Sequence, residues 1–159
     1  MNMRIGFGYD IHRLEAGRDL WLGGVRLPHH KGTLGHSDGD VLLHAICDAL
    51  LGALSLGDIG VHFPDTSEEF RDIRSTVLLE RTYRLIREKE YALVNLDTTV
   101  ILEKPKIKDY IPQMKEILSY ILQTGVSNIS IKATTSEKLG FVGREKGVAA
   151  CAVVLVQKV

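Results

Sequence analysis

Residues 41–51, Val-Leu-Leu-His-Ala-Ile-Cys-Asp-Ala-Leu-Leu, are apolar on nearly every side of a helix, interrupted only by His44 and Asp48. A helix of this kind has no face to offer to water, so the run from about Gly39 to Leu54 predicts a buried, central helix. An imidazole one to two turns into it has to be satisfied by a partner. Candidates come from the polar elbow that opens the helix, His36-Ser-Asp-Gly-Asp40, and from Asp10-Ile-His12 upstream. Asp10 and His12 stand two apart in an expected strand, so both leave the same face. A zinc ion shared by Asp10, His12 and His44 would satisfy the imidazole. Three protein ligands leave a tetrahedral ion one open position, the mark of a catalytic site.

Taken singly, each residue has a plainer reading. His44 reads as a hydrogen-bonded core histidine, and an Asp-x-His pair is a short motif of low specificity. Asp38 or Asp40 reads as a helix-start residue, since Ser37-x-x-Asp40 resembles a capping box with the shorter acid. Taken together, with Asp48 one turn beyond His44 as a candidate to orient it, they favour the metal. His29-His30 reads instead as a pair of solvated surface histidines pointing apart.

Length and charge bound what else the chain can be. At 159 residues it is expected to form one domain, 1–159, with a real core. Twenty basic residues against twenty acidic ones give a net charge of +0, against the excess of Lys and Arg that a nucleic-acid binder shows. No apolar run reaches the length of a membrane span. The start, Met1-Asn-Met-Arg-Ile-Gly, has no apolar signal core and no Arg/Ser-rich leader, so a cytoplasmic protein is expected. The two cysteines, Cys47 and Cys151, lie in apolar runs without Cys-x-x-Cys spacing and read as buried free thiols.

Patterning gives the order of elements. A first strand spans Arg4 to about Leu14, interrupted by Gly6 and Gly8, and a short hairpin spans Asp19 to Leu27 around Gly23-Gly24. Pro28 to Gly32 reads as a loop. After the central helix, Leu56–Gly60 and Phe63–Thr66 form a long polar loop, of the kind that usually carries function. A second helix runs from about Ile73 to Lys89, with Val77, Leu78, Leu85 and Ile86 on its apolar face. Tyr91 to Leu102 alternates as a strand with Ala92, Val94, Leu96, Thr98, Val100 and Leu102 on one face. A third helix runs from about Tyr110 to Gln123, with Pro112 in its first turn and Gly125 past its end. Asn128 to Thr134 reads as a strand, and Gly147 to Val156 as a strand covered on both faces. The sum is an α+β fold, a mixed sheet with helices on one face.

Between the last two strands lies Lys132-Ala-Thr-Thr-Ser-Glu-Lys-Leu-Gly-Phe-Val-Gly-Arg144. Its hydroxyls donate to phosphate oxygens, Arg144 pairs with them bidentately, and Glu137 is an acid able to hold Mg²⁺ against a substrate phosphate. The same run also reads as a solvated connecting loop. Neither a Walker loop nor a dinucleotide Gly-x-Gly-x-x-Gly is present, and Gly6-Phe-Gly8 lacks the third glycine. A zinc site beside a phosphate loop points to phosphoryl transfer helped by two metals.

Ordered motifs along nearly the whole chain carry a resemblance: Gly8-Tyr-Asp-Ile-His12, His36-Ser-Asp-Gly-Asp40, His44-Ala45, Asp48-Ala-Leu-Leu-Gly52, Leu56-Gly-Asp-Ile-Gly60, Phe63-Pro-Asp-Thr66, Pro105-Lys106, Ile111-Pro-Gln-Met114, Lys132-Ala-Thr-Thr135, Glu137-Lys-Leu-Gly-Phe141 and Gly143-Arg144. In these the chain resembles the 2-C-methyl-D-erythritol 2,4-cyclodiphosphate synthase family of the non-mevalonate isoprenoid route. The resemblance implies conversion of 4-diphosphocytidyl-2-C-methyl-D-erythritol 2-phosphate to the cyclodiphosphate with release of CMP. It implies one Zn²⁺ per subunit on Asp10, His12 and His44, open to the β-phosphate, and Mg²⁺ or Mn²⁺ on Glu137 bridging the α- and β-phosphates. His36 and Thr135 would steady the transition state.

By the same resemblance, Asp10, Ile11, His12, His36 and Ser37 would contact substrate. Asp58, Ile59, Gly60, Phe63, Pro64, Asp65, Thr66, Ser67 and Phe141 would line the methylerythritol-phosphate side. Leu102, Glu103, Lys104, Pro105, Lys106, Ile107 and Lys108, with Thr134, Thr135, Ser136 and Glu137, would hold cytosine, ribose and diphosphate. The family assembles as a homotrimer with active sites between subunits, acting on a small molecule, with no nucleic acid or membrane partner. Arg144 would border a cavity on the trimer axis. There the family usually places an acid two residues past the Arg, where this chain has Lys146, which would make the cavity more basic. Two rival readings use the same residues: a metal-dependent phosphohydrolase, which would need a poised water, and a zinc-stabilised scaffold, which would close the site with a fourth ligand.

Overall fold

In the computed structural model, which describes residues 2–159, the apolar helix α1 (Val41–Ala53) lies against β1 (Met3–Ala16). Gly6 and Gly8, read from the sequence as interruptions of the strand, are its seat. A Cβ at Gly6 would stand 1.8 Å from the carbonyl oxygen of Ala49, and one at Gly8 1.9 Å from that of Ala45. Two strand residues advance about 6.7 Å and four helical residues about 6 Å, so strand pairs and helix turns stay in step. The next strand residues on that face, Asp10 and His12, therefore meet the first turn of α1, where His44 lies. Every hydrophobic residue of α1 named above is buried, as its all-round apolarity predicts.

The other elements follow in order: β2 (Leu20–Leu22), β3 (Val25–Leu27), β4 (Lys31–Thr33), then α1, α2 (Ile59–His62), α3 (Ser75–Glu88), β5 (Tyr91–Ile101), α4 (Ile111–Ile121), β6 (Ile129–Thr134), α5 (Gly140–Gly143) and β7 (Gly147–Lys158). The main sheet has the order β4-β1-β7-β5-β6. Only the β5–β6 pair is parallel, while β1–β4, β1–β7 and β5–β7 are antiparallel. Register puts Gly8 opposite Ala152 and Asp10 opposite Ala150, so small residues of β7 continue the floor beneath α1. One sheet face, carrying Leu96, Val100, Val148, Val154 and Val156, joins α1, α3 and α4 in the core. This is the expected α+β fold with a mixed sheet.

The β2–β3 hairpin turns on Gly23 and Gly24, both at positive φ, as a two-residue type I′ turn requires. Their N–H groups donate to the buried carboxylate of Asp40 (3.0 and 2.8 Å), which also accepts from Leu43 N at 3.1 Å. Asp40 is thus the N-cap of α1, and the expected Ser37-x-x-Asp40 capping box is not formed. Burial and the neighbouring Asp38 push its pKa up, against the three N–H donors.

Four expectations need correction. Lys31–Thr33 is a strand paired with β1, not part of a loop. A bulge between Leu93 and Asn95 changes the parity of β5, so Leu93 is buried where Ala92 and Val94 were expected, and the alternation holds from Leu96 onward. The buried face of α3 is Leu78, Leu79, Thr82, Tyr83 and Ile86, with Val77 and Leu85 on its flanks. β7 is covered along its length on one face only, and Val153 on the other is exposed. Cys47 is buried, with its thiol pushed up to about 12 by desolvation, and Cys151 is half-buried; both are free. The expected leader-free start at Met1 lies outside the described residues.

Gly6→Ala drives a methyl group into helix backbone and should cost on the order of 3 kcal/mol. That lowers the melting temperature by roughly 6–12 °C in a chain of this size. Gly52→Ala, whose Cβ would meet nothing nearer than 3.9 Å, should be neutral or stabilising by up to about 1 kcal/mol. Equal melting temperatures for the two variants, by calorimetry, would refute the close α1–β1 contact.

Candidate metal centre and active site

Asp10 and His12 leave β1 on the α1 side, and His44 meets them from the first turn of α1. Their ligand atoms form a near-equilateral triangle: Asp10 Oδ2 to His12 Nε2 is 3.0 Å, His12 Nε2 to His44 Nδ1 is 3.0 Å, and His44 Nδ1 to Asp10 Oδ2 is 3.1 Å. An N–H points in one direction, so protons cannot bridge all three edges at once. A tetrahedral ion with bonds of about 2.0–2.1 Å holds its ligand atoms about 3.3–3.4 Å apart, close to the edges seen here. Two imidazoles and one carboxylate are also a standard donor set for such an ion, so the residues fit a metal. Among the described residues this is the one cluster of three ligating side chains.

The electrostatics agree. Burial alone would raise the Asp10 carboxyl, but hydrogen bonds and positive charge from His12 and His44 outweigh it and hold the group well below the usual carboxylate range. Burial lowers His44, yet the Asp10 hydrogen bond and charge raise it overall. The Asp10 carboxyl is thus held in its ionised form, the form that a ligand needs.

On its far side, His44 Nε2 lies 2.8 Å from Ser75 Oγ and 3.2 Å from Ser37 Oγ. Ser75 Oγ donates to Asp38 Oδ1 at 2.5 Å, and Ser75 N donates to Asp38 Oδ2 at 3.0 Å. Asp48, expected to orient His44, instead accepts from Ile59 N at 2.7 Å and anchors α2. Ser75 carried no motif in the sequence; only its place at the start of the second apolar-faced helix hinted at a role.

A cavity of about 320 Å³ opens beside the triangle, lined by His12, His36, Ser37, His44, Ile59, Gly60, Phe63 and Asp65, with Phe70, Ile73 and Leu78. The first eight were expected at the site. The last three were missed, because Phe70 carries no distinguishing pattern and Ile73 and Leu78 read as residues of the second helix. Asp58 caps α2 through Val61 N, and Pro64, Thr66 and Ser67 do not line the cavity. Ile11 and Phe141 line a different one, of about 580 Å³, with Arg13 and Lys146. Arg144 and Lys146 are both exposed, while Glu145 faces Lys104 (3.4 Å). The rings of His29 and His30 lie 4.4 Å apart rather than pointing apart.

The third group gathers elsewhere. A cavity of about 360 Å³ is lined by Leu102, Glu103, Pro105, Lys106, Ile107, Lys108, Thr134 and Thr135, together with Ile111 and Ala133. Leu102 and Ile107 are also core residues. Glu103 turns its carboxylate to the loop, where Oε1 accepts from Ser136 N (2.9 Å) and Lys138 N (3.1 Å). Desolvation opposes them, but these donors hold its pKa below the ordinary value. Ser136 Oγ lies 2.7 Å from Leu139 O and 3.2 Å from the same carboxylate, so it serves the loop itself. Glu137 and Lys138 take positive φ in this tether, and Glu137 is exposed. No residue lines both this cavity and the one beside the triangle.

Comparisons with known proteins place the chain in a family. The model of the YgbB family matches residues 3–157. A curated protein of Bacteroides thetaiotaomicron, "2-C-methyl-D-erythritol 2,4-cyclodiphosphate synthase", is 55% identical over 158 residues, covering 99% of each chain. A solved "IspF (Plasmodium falciparum) CDP complex" superposes with a TM-score of 0.87 at 37% identity, covering 99% of this chain and 97% of that one. The "Bifunctional IspDF from Campylobacter jejuni" superposes with a TM-score of 0.95 at 40% identity; 99% of this chain is covered but only 42% of that longer one.

If the triangle is a metal site, Co²⁺ titrated into metal-free protein should saturate at one equivalent with the intense visible absorption of a tetrahedral complex. Asp10→Ala, His12→Ala and His44→Ala should each lose that absorption while keeping the far-ultraviolet circular dichroism of the fold. Full Co²⁺ absorption in His44→Ala would remove His44 from the ligand set.

Proposed function

The chain belongs to the YgbB family and is an enzyme of the 2-C-methyl-D-erythritol 2,4-cyclodiphosphate synthase type, and from that premise we propose how its residues act. The substrate is 4-diphosphocytidyl-2-C-methyl-D-erythritol 2-phosphate, and the products are 2-C-methyl-D-erythritol 2,4-cyclodiphosphate and CMP. The observation that carries this reading is the triangle of Asp10, His12 and His44 beside a cavity lined by His36 and Ser37. The triangle would hold zinc, and Glu137 would hold Mg²⁺ or Mn²⁺ together with substrate phosphates. Bound there, the ions supply Lewis acidity that neutralises charge on the diphosphate.

The attacking group is the 2-phosphate of the substrate itself, an anion near neutral pH because its second pKa is about 6. No general base is needed. The protein's work is positioning and charge neutralisation. Ser37 Oγ accepts from Gly39 N at 3.2 Å and stands by His44 Nε2, which leaves its own proton free for a substrate oxygen. His36 is exposed at the cavity rim, where a cationic or N–H donor steadies the five-coordinate phosphorus. Thr135 does the same from the opposing loop. Asp58 to Ser67 encloses the methylerythritol end, and Leu102 to Lys108 with Thr134 to Glu137 takes the cytidine and diphosphate.

A homotrimer completes the site. His36 and Thr135 line separate cavities within one chain, so a substrate needing both is best held between two subunits. The uncovered face of β1 presents Ile5, Phe7, Tyr9 and Ile11, of which Ile5 is 70% and Phe7 63% exposed, an apolar strip suited to burial against further copies. On this reading the chain is one domain, 1–159, working in the cytoplasm; among the described residues no helix is long and apolar enough to cross a membrane. A phosphohydrolase reading gains nothing from the relatives described above.

Zinc-loaded protein given substrate and Mg²⁺ should yield CMP and cyclodiphosphate in equal amounts by ³¹P NMR. Orthophosphate as the product would mean a hydrolase instead. Equal mixing of His44→Ala with Glu137→Gln chains should restore up to about one quarter of wild-type activity, because that fraction of interfaces pairs two intact halves. No recovery after subunit exchange would place both halves in one chain.

A further inference from the structure

We infer that Ser75 and Asp38 are positioning residues that fix the tautomer of His44, so that its Nδ1 lone pair faces the metal. The inference rests on the metal reading above and adds two residues to it. For Nδ1 to act as a ligand, the ring proton must sit on Nε2. Nε2 has two hydroxyl neighbours, Ser75 Oγ at 2.8 Å and Ser37 Oγ at 3.2 Å. A hydroxyl can donate or accept, so by itself it specifies neither tautomer. If Ser75 donated to Nε2, the proton of a neutral ring would lie on Nδ1 and block the metal.

Asp38 removes that ambiguity. A carboxylate only accepts, and Ser75 Oγ donates to Oδ1 at 2.5 Å, so the hydroxyl proton is committed to it. Ser75 Oγ is then left as an acceptor for Nε2–H. The polarity of the chain is set from its far end: carboxylate, then hydroxyl, then imidazole. Asp38 is itself held, since Oδ1 accepts from Asp40 N at 3.2 Å, Oδ2 from Ser75 N at 3.0 Å, and Arg74 Nε stands 3.5 Å from Oδ2. The relay is dry: Ser75 is fully buried, and the Asp38 side chain is 6% exposed. Partners of this kind also raise the basicity of the ligating nitrogen.

The test measures zinc affinity rather than turnover. Competition with a chromophoric chelator should show zinc bound roughly 10–100-fold more weakly by Ser75→Ala and by Asp38→Asn than by wild type. The melting temperatures of the metal-free proteins should fall far less than a loss of fold would require. Wild-type affinity in a folded Ser75→Ala would overturn the relay while leaving the zinc site intact; absence of zinc binding by wild type would instead overturn the metal reading. ¹⁵N NMR of the neutral His44 ring in metal-free wild type needs no variant, and there no ion fixes the tautomer. A proton on Nε2 supports the inference, and a bare Nε2 refutes it.

Discussion

The contact between α1 and β1 governs the rest of the molecule. Helix backbone rests directly on strand backbone at Gly6 and Gly8, where no side chain larger than hydrogen fits. Such an approach has little tolerance for shift, because the closest atoms on both sides are main chain. It fixes the height of His44 above Asp10 and His12, and a triangle with edges of 3.0 to 3.1 Å depends on that height. The ligands come from rigid elements rather than loops, which suits a site that must stay open at one position without collapsing.

Three aspartates, two at the entrance of α1 and one within it, then arrange the walls. Asp40 clamps the β2–β3 turn, Asp38 holds the start of α3 through Ser75, and Asp48 anchors α2 through Ile59 N. Each carboxylate accepts backbone N–H groups that would otherwise be unpaired, so polar groups near a greasy helix are satisfied rather than stranded. The cavity beside Asp10, His12 and His44 is bordered by segments tied to the same helix. Glu103 does the equivalent for the loop of Thr135 and Glu137, which a carboxylate on a neighbouring segment holds in shape.

Much of this is legible in the residues. The all-round apolarity of 41–51 fixes α1 as central, the two-residue spacing of Asp10 and His12 fixes their common face, and Gly23-Gly24 fixes the hairpin. What the residues hide is which partner a polar side chain chooses. Asp48 and Asp38 are both acids near His44 in sequence, and only the packing of α3 decides that the link runs from Asp38 through Ser75. Glu103 and Ser136 have the chemistry of substrate contacts, yet they bond to the loop. The bulge at Val94 and the short strand at Lys31 escape pattern reading because one displaced residue reverses parity and three residues are too few to show any.

The open face of β1 and the separation of the two candidate half-sites point the same way, toward a site finished by a second copy of the chain. The metal triangle stands beneath every part of that account. Diffraction from crystals of zinc-loaded protein, collected on either side of the zinc absorption edge, tests it most directly. The expected result is one anomalous peak per chain, bonded to Asp10 Oδ2, His12 Nε2 and His44 Nδ1 at about 2.0–2.1 Å, with its fourth position held by a non-protein group. A peak ligated by four protein side chains, or no peak within the triangle, would contradict it.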